Sequence, residues 1–191
     1  RPEWMITDLS IMLSGGITVP TYTTYVERDY EYIIDNCEPS IIFVSDKIQY
    51  EKIKNLIPKK KFVKKVVVFE SVNDLNDNYN LYINNIFKNQ NYETKSFLDL
   101  TIKRKDMACI IYTSGTQGNP KGVMLSHGGI LNNCEGSCEL LKPIVTNNPK
   151  FLTWLPLSHS YEHTIQFVQI AVSARVFYAE SIEKLIKNMG E

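Results

Sequence analysis

The stretch "YTSGTQGNPKG", Tyr112 to Gly122, decides how this chain reads. Glycines stand at 115, 118 and 122, a proline at 120, and hydroxyls at Thr113, Ser114 and Thr116. One apolar run, "MACII", precedes it, and another, "VMLSHGGIL", follows. The pattern predicts a strand, a Gly-rich loop and a helix running through Leu141. A strand that hands over to a helix through such a loop gathers backbone N–H groups and the positive helix end at one spot. Gly115 and Gly118 permit φ > 0 or a close backbone approach to a ligand. The hydroxyls add donors, and Lys121 adds a point charge. Together these residues make a cradle for phosphate oxygens. The plainer reading is a flexible turn with solvated hydroxyls; the Pro-Lys-Gly ending favours the cradle.

The cradle is not the GxxxxGK[ST] loop. Counting from Gly115, the sixth position is Pro120 and the eighth is Gly122. Both the second glycine and the hydroxyl that would bind magnesium are replaced, which argues against a kinase or GTPase of that class.

Outward from the loop, strands and helices alternate. "PEWMITDLSIML" carries a helical stripe at Met5, Ile6, Leu9, Met12 and Leu13, stopped by "SGG". "ITVPTY" reads as a short strand kept near an edge or end by Pro20. Thr24 and Glu27 read as a capping box for a helix with its stripe at Tyr30, Ile33, Ile34 and Cys37. "IIFVS" reads as a buried strand, "DKIQYEKIKNLI" as a helix closed by Pro58, and "KKVVVFE" as the next strand. "NDLNDNYNLYINNIFKNQNYE" is Asn-dense and reads as a surface insertion holding one short helix. After the loop and its helix come extended "FLTWLPL", helical "SYEHTIQFVQIAVS", a strand at "ARVFYA" and a helix at "SIEKLIKNMG". The order predicts an α/β fold, a mostly parallel sheet flanked by helices.

Composition narrows the class. The 191 residues carry 21 Lys plus Arg against 21 Asp plus Glu, so the formal net charge is zero. That balance argues against a broad nucleic-acid footprint. Hydrophobic residues make up 43%, as in an ordinary soluble globule. No apolar run reaches transmembrane length, and no signal peptide opens the chain. The cysteines at 37, 109, 134 and 138 lack zinc-site spacing and read as reduced, intracellular thiols. A cytoplasmic location is expected, with peripheral contact to a membrane such as the endoplasmic reticulum as an open addition. The first residue is not Met and falls within a helical pattern, so the chain reads as part of something longer.

"YTSGTQGNPKGVMLSH" resembles the signature loop of the adenylate-forming enzymes. That superfamily comprises acyl-CoA synthetases, luciferases and peptide-synthetase adenylation domains. The usual form is Tyr-Thr-Ser-Gly-Thr-Thr-Gly-x-Pro-Lys-Gly; Gln117 departs from it and exchanges a hydroxyl for an amide. "RPEWMITDLSIMLSGGITVPTYTTY", "LPLSHSYEH" and "YAESIEKL" are similar to segments of long-chain fatty acyl-CoA synthetases. The resemblance spans nearly the whole chain and covers only the N-terminal portion of such an enzyme. It implies a partial N-terminal AMP-binding domain over residues 1–191, without the C-terminal domain. It implies that Thr113, Ser114, Gly115, Thr116, Gln117, Gly118 and Lys121 hold the ATP phosphates. His159 matches the residue that gates the carboxylate pocket, although alone it would read as a satisfied, partly buried histidine. The substrates implied are a fatty acid, ATP and coenzyme A. The magnesium ligand, the ribose Asp and the catalytic Lys all lie in later segments of the family pattern. The piece alone is therefore expected to be inactive, and no catalytic residue is assigned within it. A nucleotide-binding module without catalysis is the alternative.

"HSYEH", His159 to His163, also fits H-x-x-E-H, the inverted zinc-protease pattern. Two histidines at i and i+4 share a helix face, which suits zinc. The synthetases usually carry Arg at the last position, so a single replacement creates the pattern, and no zinc is expected there. Trp154 and Tyr161 read as packing residues. "PKKKFVKK" offers positive charge to an anionic lipid surface; the preferred reading is a solvated helix end before a strand. Cys134 and Cys138 share a helix face with Leu131 and Leu141 and read as core.

Overall fold

The computed structural model describes residues 1–70, 80–82, 100–113, 119–145 and 147–190, with backbone alone for 80–82. In chain order the elements are α1 (Pro2–Leu13), α2 (Glu27–Cys37), β1 (Ile41–Val44), α3 (Lys47–Glu51), β2 (Lys65–Val68), β3 (Asn80–Tyr82) and β4 (Met107–Thr113). They continue with β5 (Lys121–Ser126), α4 (His127–Leu141), β6 (Lys150–Thr153), α5 (Ser160–Ala171), β7 (Arg175–Tyr178) and α6 (Leu185–Met189). The chain divides into two compact units: Arg1–Tyr22, Leu100–Ser114 and Lys121–Glu191 form one, Thr23–Asp99 and Gly115–Pro120 the other.

In the second unit β1, β2 and β3 pair in parallel, with β2 central. The run of Val66, Val67 and Val68 is fully buried, as a central parallel strand requires. Tyr30 and Ile34 of α2 join Val44, Tyr50, Ile53, Leu56, Ile57 and Val63 around it in one apolar core. β1 is less buried than expected: Ile41 is exposed and only Val44 is closed off. α2 begins as expected, but its cap is Val26, whose N–H is taken by Asp29 Oδ2 at 3.2 Å, not the Thr24–Glu27 box. The expected helix from Asp46 breaks at Glu51 and resumes as a 3-10 turn, Ile57–Lys59, with Pro58 inside it. Proline is tolerated in a first turn, where its missing N–H has no partner to lose. The lysine run follows that turn into β2, and Lys60 is paired with Asp35 at 2.5 Å. Most of the Asn-rich segment lies outside the described residues; its Asn80–Tyr82 is a strand beside β2, not part of a helix.

The first unit holds two ladders. β6, α5 and β7 form a crossover in which Lys150↔Arg175 through Thr153↔Tyr178 pair in parallel. β4 and β5 pair antiparallel, with a register shift between Met107 and Cys109. The α/β class therefore holds, and two of the three sheets among the described residues are parallel. β4 itself departs from expectation, since among the described residues its only parallel neighbour is a single bridge to Thr18. Thr18 N–H donates to Ala108 O at 3.0 Å and Ile110 N–H to Thr18 O at 2.8 Å. Pro20, with no N–H to give, stops that pairing from growing into the expected strand. The final helix is shorter than its pattern, spanning Leu185–Met189. No described helix is long and apolar enough to cross a membrane.

Candidate functional site

β4 and β5 make the hairpin that carries the Gly-rich loop. Ala108, Cys109, Ile111 and Tyr112 are buried, which anchors β4. Register partners run from Ile110↔Met124 through Tyr112↔Gly122 to Thr113↔Lys121. Gly122 has a packing reason: a Cβ there would meet Ile110 Cγ2 at 2.8 Å and the Tyr112 ring at 3.3 Å. The last glycine of Pro-Lys-Gly thus leaves room for Tyr112 to lie across the hairpin. Thr113 and Lys121 are exposed and face each other where the strands part. Among the described residues, the Lys121 ammonium has no hydrogen-bond or ion-pair partner. Ser114, Gly115, Thr116, Gln117 and Gly118 lie outside the described residues.

One expectation about this loop is corrected. The segment after Lys121 is a strand, and α4 starts only at His127. β5 runs back beside β4, so its six residues carry the chain about 20 Å from the loop before the helix begins. The α4 N-terminus is fixed at the other end of the hairpin. His127 N–H donates to Asp106 O at 3.0 Å, Gly128 N–H to Arg104 O at 2.6 Å, and Ser126 Oγ accepts from Gly129 N–H at 3.1 Å. The α4 dipole does not point at the loop. Any grip on phosphate there comes from loop N–H groups, hydroxyls and Lys121.

His159 is the N-cap of α5. Its Nδ1 accepts from the Tyr161 N–H at 3.2 Å. That bond ties Nδ1 to the first turn of the helix and leaves the rest of the ring exposed. The ring is exposed, not partly buried as a bland histidine would be. Trp154 and Tyr161, expected to pack, are 46% and 61% exposed. Thr153, the residue before Trp154, points inward, so alternation along the extended chain turns Trp154 out. Tyr161 falls off the buried face of α5, which is Glu162, His163, Gln166 and Gln169 with Val168 among them.

That buried face is polar. His163 Nε2 lies 2.8 Å from Asp8 Oδ2 on α1, and the two residues are 2% and 5% exposed. Trp4 meets the His163 ring edge-on at 5.4 Å, and Phe167 lies tilted against it at 5.1 Å. The expected apolar stripe of α1 is only partly its inner face: Met12 is buried and Met5 and Leu9 are half-buried, but Ile6 and Leu13 are exposed and Asp8 is buried. Gln169 Nε2 donates to Thr153 Oγ1 at 3.1 Å, and Thr153 in turn bonds Glu162. Burial raises the Glu162 carboxyl above its ordinary range, against the pull of Thr153 and the Leu155 backbone. Within the H-x-x-E-H pattern His163 Nε2 lies against Asp8, while His159 caps the helix. Among the described residues no three His, Cys, Asp or Glu group to hold a metal. Cys134 is buried as expected and Cys138 is half-buried. Asp8 left no signal in the sequence beyond an acid set among apolar residues of α1.

Known proteins share this sequence and fold. Long chain acyl-CoA synthetase 4 of Arabidopsis thaliana is 32% identical over 207 residues, covering all of this chain and 30% of that protein. A long-chain-fatty-acid–CoA ligase of Mus musculus is 31% identical over 185 residues, 93% of this chain and 28% of its own length. The chain thus spans under a third of these relatives. The crystal structure of a long-chain-fatty-acid-CoA ligase from Archaeoglobus fulgidus superposes with a TM-score of 0.79 at 22% identity, over 99% of this chain and 36% of that one. A putative long-chain-fatty-acid CoA ligase from Rhodopseudomonas palustris gives 0.81 at 17%, over 98% and 44%. Residues 1–189 match the family described as AMP-binding enzyme, and the chain belongs to it.

Proposed function

We propose that this chain is the phosphate-gripping part of an AMP-forming long-chain fatty acyl-CoA synthetase. In that reaction a fatty-acid carboxylate oxygen attacks the α-phosphorus of ATP, and pyrophosphate leaves with the bond it breaks. The coenzyme A thiol then attacks the acyl carbonyl, AMP leaves, and the thiol proton passes to solvent. The reading assigns the β- and γ-phosphates of ATP to Thr113, Ser114, Gly115, Thr116, Gln117, Gly118 and Lys121. His159 stands beside the acyl carboxylate. Magnesium, when bound, would offset phosphate charge, and the reading assigns its protein ligand to the later segments of the family pattern. We place residues 1–191 within the large AMP-binding domain, and the protein in the cytoplasm with peripheral access to membrane lipid.

One observation carries the reading. The hairpin holds Thr113 and Lys121 as register partners at the two ends of the Gly-rich loop, with Lys121 exposed there. A loop tied at both ends can close on pyrophosphate and open to release it. The test is made on the full-length protein with ATP, magnesium, coenzyme A and saturated fatty acids of graded length. Pyrophosphate, AMP and acyl-CoA should form in equal amounts, and none without fatty acid. Folded protein that binds ATP but releases no fatty-acid-dependent pyrophosphate at any chain length would overturn the reading in favour of a nucleotide-binding module.

A further inference from the structure

We propose that Asp8 and His163 are positioning residues for His159: their buried bond pins the first turn of α5 to α1 and so fixes where the acyl-site histidine stands. The proposal rests on the reading that His159 lies beside the acyl carboxylate.

His163 follows His159 by one helical turn, and its N–H donates to His159 O at 2.9 Å. The two residues move together through that first α5 hydrogen bond. His163 is held on three sides. Asp8 Oδ2 takes Nε2 at 2.8 Å, Trp4 meets the ring edge-on, and Phe167 backs it from the next turn of α5. Trp4 and Asp8 are themselves one turn apart on α1, so two turns of that helix clasp one residue of α5, His163. His159 by contrast is exposed; its N–H donates to Pro156 O at 2.8 Å and its ring accepts from Tyr161 N–H. On the helix side its position is set from behind, by His163.

A carboxylate this deeply buried is costly unless its partner is well placed, and such a pair is often no more stabilising than apolar residues of like volume. Stability alone gives little reason for it. What it adds over an apolar contact is direction: one donor, one acceptor and one seat for the ring.

That difference makes the test. Full-length D8L/H163M replaces the bond with apolar packing, D8N keeps an acceptor for Nε2–H, and H163Q offers an amide N–H near the same place. Each is assayed for fatty-acid KM, ATP KM and hydrogen exchange of peptides covering 157–164. The double variant should raise fatty-acid KM about tenfold, since small misplacements of a contacting group are expensive, and leave ATP KM within about twofold. Exchange at 160–163 should quicken even where the melting temperature is unchanged. D8N should stay within about threefold of wild type because its hydrogen bond survives.

A folded double variant with unchanged fatty-acid KM and unchanged exchange overturns the proposal. Should the double variant not fold, D8N and H163Q decide: near-normal KM and exchange in both supports it, and a rise of fatty-acid KM of about tenfold or more in both overturns it. H159A separates the underlying reading. If H159A leaves fatty-acid KM unchanged, the acyl-site role of His159 falls. The exchange data then judge the clasp on their own.

Discussion

Gly122→Ala adds one methyl group to the hairpin, and the structure says where it goes. The new Cβ would stand 2.8 Å from Ile110 Cγ2, 3.3 Å from Tyr112 Cζ and 3.5 Å from Tyr112 Cε1. Neither neighbour yields easily. Ile110 Cγ2 is bonded directly to Cβ of a β-branched side chain, which has one strongly preferred χ1 setting. Tyr112 is 3% exposed and has no open space into which its ring can swing. Overpacking of this kind costs about 1–3 kcal/mol. Against it stands the usual gain of about 0.5–1 kcal/mol when Gly in a strand becomes Ala. The net is a loss of about 1–2 kcal/mol, or a melting temperature lower by about 2–8 °C for a domain of this size. Gly136→Ala is the internal control: it lies mid-α4 with nothing within 4 Å of the added Cβ, so it should gain up to about 1 kcal/mol. Thermal unfolding of both variants, followed by circular dichroism, reads the contrast. The displaced hairpin should also raise ATP KM, because Lys121 adjoins the clash, while fatty-acid KM moves less. A Gly122→Ala protein that melts at or above wild type would show that Tyr112 does not rest on Gly122 as described.

Lys121→Ala should slow fatty-acid-dependent pyrophosphate release about ten- to a hundredfold, the value of a charge-assisted contact of about 1.5–3 kcal/mol; a normal rate at all ATP concentrations, in protein with native circular dichroism, would remove Lys121 from the phosphate site. Burial, with Asp8 close by, pushes the Cys109 thiol up to about 12, so at pH 8 only about one thiol in ten thousand is ionised. Iodoacetamide should leave Cys109 unmodified in native protein and alkylate it in urea, as read by peptide mass; fast native labelling would contradict its burial. Glu162 is raised by burial, so between its unfolded and folded values the native state holds the proton more tightly than the unfolded chain. Wild type should therefore gain stability relative to Glu162→Gln as pH falls through the folded value, the gain being complete below about 4.3. A melting-temperature difference that moves the other way on acidification would refute the assignment.

The parts of this molecule that lie close together in sequence were legible from it. "MACIIYT" shows its strand from Met107 to Thr113 because β-branched and buried residues run without a break. The α2 stripe at Tyr30, Ile33 and Ile34 shows its inner face because an apolar core receives it. The Gly-rich loop shows its chemistry because donors, glycines and lysine are contiguous. The misreadings share a cause. β5 was taken into the following helix because "KGVMLS" has neither a turn signal nor a polar gap before "HGG", and only pairing with β4 makes it a strand. Pairing also turned Asn80–Tyr82 into a strand despite Asn's poor strand propensity.

α1 shows the same limit more sharply. Read alone, its periodicity chooses Met5, Ile6, Leu9, Met12 and Leu13 as the inner face. Hydrophobic periodicity assumes that the surface receiving a helix is apolar. Here α1 meets α5 at His163, on a buried face shared with Glu162, Gln166, Val168 and Gln169, and the helix turns Asp8 toward it. The partner that reverses the rule lies 155 residues away in the chain. Neither sequence segment carries the answer separately: Asp8 looks like a surface acid, and His163 looks like half of a zinc pattern. Each becomes intelligible once the other is in place. The carboxylate accounts for the histidine that stands where the synthetases usually have Arg. The histidine accounts for an acid inside an otherwise apolar helix.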